Sequence, residues 1–177
     1  GWLSSDGINW TYTQINTTNQ GYKAAAYGDG KFVTLSNESN GIGRYSTDGG
    51  VTWSNCTGVR NYSYRAMTYG NGLFVAVHQN ENERPTISTD GITWTEATSN
   101  NSGYMNAVAY GNGVWVLWNN YPQLLVTTDF VTFHQQVNQT LFPFPDYQGG
   151  QTMKFHHGHF LTTSSGPTPG YSWASHN

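Results

Sequence analysis

The sequence predicts an all-β fold: a small β-propeller of about four four-stranded blades, with N- and C-terminal strands sharing one blade. Three observations lead there. The first is composition: of 177 residues, 10% are charged, 15% are aromatic and 21 are Gly. Long helices draw on Glu, Lys, Arg and Ala, which are scarce here, so an all-α or coiled-coil chain is excluded. The second is a phrase built on an aspartate. Ser4-Ser5-Asp6-Gly7-Ile8-Asn9-Trp10 returns as Ser46-Thr47-Asp48-Gly49-Gly50-Val51-Thr52-Trp53 and as Ser88-Thr89-Asp90-Gly91-Ile92-Thr93-Trp94. A worn copy is Thr127-Thr128-Asp129-Phe130-Val131-Thr132-Phe133. The third is a phrase lying between these: Tyr27-Gly28-Asp29-Gly30-Lys31-Phe32-Val33, Tyr69-Gly70-Asn71-Gly72-Leu73-Phe74-Val75 and Tyr110-Gly111-Asn112-Gly113-Val114-Trp115-Val116. Its degenerate copy is Phe155-His156-His157-Gly158-His159-Phe160-Leu161. The aspartates stand 42, 42 and 39 residues apart. A period near 40 suits one propeller blade, and the Leu-rich or helical units of a solenoid are missing.

The elements follow in order. Within a unit, the four strands are A to D. Residues 1–14 read as a C–D pair. Three full units follow at about 22–57, 62–98 and 104–136, and an A–B pair at 151–163. In the unit 62–98, strand A is about 64–69, B 73–78, C 85–89 and D 93–97. The A–B link is Gly-Asn-Gly, a tight turn requiring positive φ, which Gly and Asn tolerate. The C–D link is the aspartate phrase: the carboxylate accepts turn N–H groups, and the Trp packs between sheets. Pairing 1–14 with 151–163 makes one domain over 1–177, with four complete blades. One feature opposes that closure: residues 170–177 also read as a C strand, which would make the chain part of a larger ring or leave the remainder to a partner. The chain begins with Gly, as a processed chain or a piece of a longer one would.

Ser46-Thr47-Asp48-Gly49-Gly50-Val51-Thr52-Trp53 resembles the Asp-box (bacterial neuraminidase repeat) pattern Ser-x-Asp-x-Gly-x-Thr-Trp at every fixed position. The copies at Asp6 and Asp90 are one residue shorter, and the copy at Asp129 lacks the Gly and Trp. With the Tyr-Gly-Asn-Gly phrase, the units look like propeller repeats of bacteriophage tail and virion proteins and of related bacterial surface proteins. That resemblance implies a structural role for Asp6, Asp48, Asp90, Asp129, Trp10, Trp53 and Trp94. It also implies an extracellular or virion-surface setting.

Function is expected on the face carrying the B–C and D–A loops, because these vary while the turn phrases do not. Four residues before Tyr27, Tyr69, Tyr110 and Phe155 sit Lys23, Arg65, Asn106 and Gln151. In a ring they form a polar collar able to hold a carboxylate, a sugar or water. Tyr22, Tyr62, Tyr64 and Tyr104 could stack on sugar rings. Trp118, Asn119, Asn120 and Tyr121 form a second aromatic and amide group, and Tyr147 lies in the proline-stiffened loop 137–150. Strand-end packing is the competing reading for all of these, and filling of the ring by Phe142 and Phe144 for that loop.

Several classes are disfavoured. Only 7 Lys plus Arg and a net charge of −3 argue against nucleic acid. No apolar run reaches the roughly 20 residues of a membrane helix. Cys56 has no partner for a disulfide. No metal or cofactor is expected: His156-His157-Gly158-His159 is the only His cluster, and no carboxylate lies near it in sequence. No enzyme is expected either. The arginines and the Tyr–Glu pair of a sialidase cannot be assigned, and no paired carboxylates are foreseen at convergent positions. The expectation is therefore a non-enzymatic surface propeller, of the phage tail fibre or spike type, binding a host-surface glycan or protein. The alternatives are an assembly module contacting other subunits of a surface particle, and a fragment of a secreted sialidase-like glycosidase.

Overall fold

A computed structural model describes residues 1–16, 20–38, 40–80, 82–98, 103–119, 123–136, 150–164 and 172–174. Among these the regular structure is all β. The first sheet is a pair, β1 (Trp2–Leu3) and β2 (Thr11–Tyr12). Three four-stranded antiparallel sheets follow, each laid out in chain order. They are β3 (Tyr22–Gly28), β4 (Lys31–Ser36), β5 (Gly43–Ser46) and β6 (Ser54–Asn55); then β7 (Tyr64–Gly70), β8 (Leu73–His78), β9 (Thr86–Ser88) and β10 (Thr95–Glu96); then β11 (Met105–Gly111), β12 (Val114–Asn119), β13 (Gln123–Thr127) and β14 (His134–Gln136). The last sheet is β15 (Gly150–His156), β16 (His159–Ser164) and β17 (Ser172–Ala174).

The innermost strands β3, β7, β11 and β15 pack one against the next. The closing strand differs from the sequence expectation. β17 takes the third place in the last sheet, and the N-terminal pair β1–β2 stays a separate sheet instead of completing it. Residues 170–177, the feature that opposed closure, contain this strand.

The A–B turns are two residues long, with both central residues at positive φ: Asp29 and Gly30, Asn71 and Gly72, Asn112 and Gly113, His157 and Gly158. That is the hairpin turn whose twist matches the flanking strands, and it selects Asn or Asp before Gly. His157 takes the Asn position at φ 47°.

The hydrophobic core lies between sheets, not within them. One cluster joins Val33 and Leu35 to Met67, Phe74 and Trp94, a second joins Val75 and Val77 to Val108, Trp115 and Phe130, and a third joins Ala107 and Trp118 to Met153. The second strands of the second and third blades, β8 and β12, are covered on both faces, so they read as apolar runs and not as alternations. In β8, Phe74, Val75, Ala76, Val77 and His78 are all buried.

Candidate functional site

The aspartate turns are closed by their own carboxylates. At Asp48, Oδ1 accepts the N–H groups of Val51 and Thr52 at 3.0 and 2.9 Å, and Oδ2 accepts the Thr52 hydroxyl at 2.5 Å. Asp6, Asp90 and Asp129 each accept the N–H groups two and three residues ahead, at 2.7 to 2.8 Å. Those backbone bonds hold the Asp6 and Asp129 carboxyls below the usual range, and the Thr52 side-chain and backbone bonds do so for Asp48. At Asp90 burial opposes the shift, and the Thr93 and Ile92 N–H groups outweigh it. Each carboxylate is thus engaged within its own turn.

Tryptophan packing depends on a preceding blade. Trp94 is 2% exposed against the blade before it, whereas Trp10 is 58% exposed. Trp53 lies between, its indole N–H donating to the Gly50 carbonyl at 2.9 Å.

The collar residues share a backbone cause. The register of each inner hairpin shifts once, between Tyr22 and Ala24, Tyr64 and Ala66, Met105 and Ala107, and Gly150 and Thr152. Lys23, Arg65, Asn106 and Gln151 are therefore the extra residues of four β-bulges. A bulge breaks the in-out alternation and re-aims its side chain. Arg65 Nη2 donates to Gln79 Oε1, and Gln79 Nε2 donates to Asn106 Oδ1 at 2.5 Å, so a side-chain relay crosses from the second blade to the third. The buried Arg65 Nε has no partner among the described residues. Lys23 is exposed, and the Gln151 side chain lies outside the description. Gln79 was not foreseen. The signal for it is position: it is the first residue after strand β8, as Asn37 is after β4.

Other expected contacts are not available. Tyr64 is fully buried, edge-on to His78, with its hydroxyl 3.3 Å from Thr86 Oγ1; burial pushes the phenol up to about 12. Trp118 is buried in the third core cluster, because β12 is covered on both faces. Tyr62 is buried and stacks on His78 at 4.2 Å. Tyr22 and Tyr104 remain half-buried, and the Asn16 amide donates to the Tyr22 hydroxyl at 2.9 Å. Tyr121 and Tyr147, with the rest of 137–149, lie outside the described residues, as do Asn120, Phe142 and Phe144.

Two carboxylates do converge, contrary to the sequence expectation. Glu83 Oε2 lies 2.7 Å from the Tyr62 hydroxyl, Glu96 Oε1 meets the same hydroxyl, and Arg60 pairs with Glu96 at 2.8 Å. The Tyr62 bond holds the Glu96 carboxyl low, and Arg60 adds to this; burial, with the two carboxylates, drives the Tyr62 phenol far above its usual range. The three groups come from a D–A loop, a B–C loop and strand D, so no local motif announces them. His78 sits beneath, accepting a long bond from the Asn80 N–H at Nδ1 (3.4 Å), with Nε2 2.8 Å from the Arg84 carbonyl. This arrangement calls for the neutral Nε2–H tautomer. Burial lowers its pKa accordingly. Among the described residues no group of three or more His, Cys, Asp or Glu is placed to hold a metal ion.

No family model matches the chain, nor does any curated protein sequence. Solved structures do match in fold. YCF48 from Cyanidioschyzon merolae superposes with a TM-score of 0.68 at 14% identity, covering 91% of this chain and 55% of that one. This chain has a β-propeller fold. A chain of a nidogen/laminin complex matches with a TM-score of 0.65 at 11% identity, over 86% of this chain and 59% of that one. The computationally designed Ika4 protein matches with a TM-score of 0.61 at 11% identity, over 94% and 98%. This propeller thus spans little more than half of the YCF48 and nidogen/laminin chains. A further structure holds YCF48 bound to D1 peptide.

Proposed function

We propose that this is a non-enzymatic binding propeller whose bulge collar takes a partner protein segment presenting a carboxylate. The observation that carries the reading is Arg65: its guanidinium is fixed by Gln79 while its buried Nε has no partner among the described residues. A charged donor held in one orientation and left incompletely bonded suits a carboxylate, which accepts two N–H bonds from one guanidinium. Lys23, exposed at the equivalent bulge of the blade before, adds charge without orientation. Peptide- and protein-bound propellers among the fold neighbours support a protein partner. Half-buried Tyr22 and Tyr104 support a host-surface glycan as the second reading. The setting we propose is extracellular or virion-surface, as a tail fibre or spike component; its support is the resemblance of the Asp-box repeats. Against catalysis stands the burial of Tyr62 beneath the Glu83–Glu96 pair.

Displayed acidic peptides and a glycan array test the proposal. Arg65→Gln and Lys23→Ala are expected to weaken capture about tenfold or more with thermal midpoints near wild type. Unchanged capture by both variants on both arrays would overturn it.

A further inference from the structure

One hydroxyl meets two carboxylates on the loop face of the second blade. Tyr62 comes from the D–A loop before β7, Glu83 from the B–C loop at 79–84, and Glu96 from the outer strand β10. The Tyr62 oxygen lies 2.7 Å from Glu83 Oε2 and also bonds Glu96 Oε1. A phenol has a single proton to donate, and an ionised carboxylate only accepts. With both carboxyls ionised, one of the two contacts sets oxygen lone pairs against each other above a buried ring. The geometry is complete only when the carboxyl pair keeps one proton.

The surroundings decide where each proton goes. Arg60 Nη2 lies 2.8 Å from Glu96 Oε2, so Glu96 is the ionised member and takes the phenol's proton. The contact between Glu83 and Tyr62 is then the one that needs a proton of its own. The Tyr62 hydroxyl does most to hold the Glu96 carboxyl low; Arg60 adds to this, and so does a hydrogen bond from Glu83, which a carboxyl can make to a carboxylate only by donating. Among the described residues the other titratable or charged groups facing the cluster are Arg84, His78 and Tyr64. Arg84 adds positive charge beside Glu96. The His78 ring lies 4.2 Å from that of Tyr62, and burial favours its neutral form. Tyr64 lies 6.1 Å away, and burial keeps its phenol protonated.

Glu83 ties three segments together. Its side chain reaches the D–A loop before the blade, and its carbonyl accepts the Gly103 N–H at 3.1 Å, at the end of the D–A loop after the blade. Gln79, which holds Arg65, opens the same B–C loop. We propose that Glu83, Tyr62 and Glu96 form a proton-dependent latch, which closes the 79–84 loop over the second blade while the pair keeps one proton and frees it when that proton leaves. On its loss the Glu83–Tyr62 bond goes, and Glu96 keeps both Tyr62 and Arg60. The closed loop binds one proton more than the open one, so closure strengthens as pH falls. His78 and the turn aspartates act in the opposite sense, weakening the fold as pH falls, so the sign separates them from the latch. The latch stands whatever the collar binds.

The Gly103 amide is the reporter, because its bond is to the Glu83 carbonyl. Its exchange is followed by NMR from about pH 7.5 to about pH 4.5 and corrected for the intrinsic rate. In wild type the protection is expected to rise about fivefold over that range. Glu83→Gln supplies the missing donor at every pH, since its amide donates to the Tyr62 oxygen while the phenol donates to Glu96. Its protection is expected to stay at the closed level throughout. Tyr62→Phe keeps the ring on His78 and removes the bridging oxygen, so its protection is expected to stay low and flat. Wild-type protection that does not rise as pH falls would overturn the proposal, and so would the full wild-type rise in either variant. If Tyr62→Phe does not fold, Glu96→Gln takes its place. Its amide donates to Tyr62 and the phenol donates to Glu83, so a flat profile supports the latch and the wild-type rise refutes it.

Discussion

Gly70→Ala probes the contact that joins the second blade to the third. The new Cβ would stand 2.3 Å from Tyr110 Cδ1 and 2.4 Å from Cγ, far inside van der Waals contact. The ring has little room to withdraw, because Tyr110 packs on Trp115, and Trp115 lies 5.3 Å from buried Phe130. Overpacking of this kind costs about 1–3 kcal/mol. Restricting the unfolded chain at a glycine returns up to about 1 kcal/mol. The net loss is about 1–2 kcal/mol, which for a domain of this size lowers the midpoint by roughly 2–8 °C. Urea and thermal unfolding of four proteins measure it: wild type, Gly70→Ala, Tyr110→Ala and the double variant. The double variant is expected to be more stable than the sum of the singles by about 1 kcal/mol, since the Cβ then has space. Gly72→Ala is the control. It carries the left-handed strain at φ 74° with nothing within 4 Å, so it is destabilising yet additive with Tyr110→Ala. Additivity of Gly70→Ala and Tyr110→Ala within about 0.3 kcal/mol would refute the contact.

Four further outcomes follow from the geometry. Burial lowers the His78 pKa, so below its ordinary value near 6.5 the unfolded chain binds a proton that the folded chain refuses, and stability falls as pH falls; in urea titrations from pH 8 to 5, His78→Gln is expected to flatten that slope. The depressed turn aspartates act lower, with their contribution present above about pH 4 and lost beneath it. Phe130 holds φ 58° where Gly91 holds 71°, and its ring is buried on Trp115, so Phe130→Ala is expected to cost about 3–4 kcal/mol and Phe130→Gly less, the reverse of the usual order, by equilibrium unfolding. Burial pushes the Cys56 thiol up to about 12, so its reaction with a disulfide reagent at pH 8 is expected to run at least 100-fold slower than in urea.

Much of the architecture was legible because the repeat writes its turns in residues with few alternatives. Asn71-Gly72 admits positive φ at both positions, and Asp90 followed by Gly91 can close its own turn. The strand alignment also located Lys23, Arg65 and Asn106 correctly as equivalents, although nothing local said that they were bulges. Exposure was not legible. Tyr64 and Trp118 sit at strand ends that look open in one unit and are covered by the units on either side. Glu83, Tyr62 and Glu96 meet through three separate segments, a contact that spacing cannot encode. The third strand of the last sheet was not legible, because residues 1–14 and 170–177 both read as strand C, and only backbone pairing assigns the place to β17.

The ring-on-glycine step, Tyr69 on Gly28, Tyr110 on Gly70 and Phe155 on Gly111, also fixes how the molecule comes apart and how it could grow. Each blade is held by its neighbours, so opening is expected to begin at the flanks and travel inward, one sheet at a time. The step also brings both halves of its own joint: every inserted copy of 62–103 would carry a ring for the blade before it and a glycine for the blade after it. Gene duplication can therefore lengthen the array in the middle with the same ring-on-glycine step at each new joint.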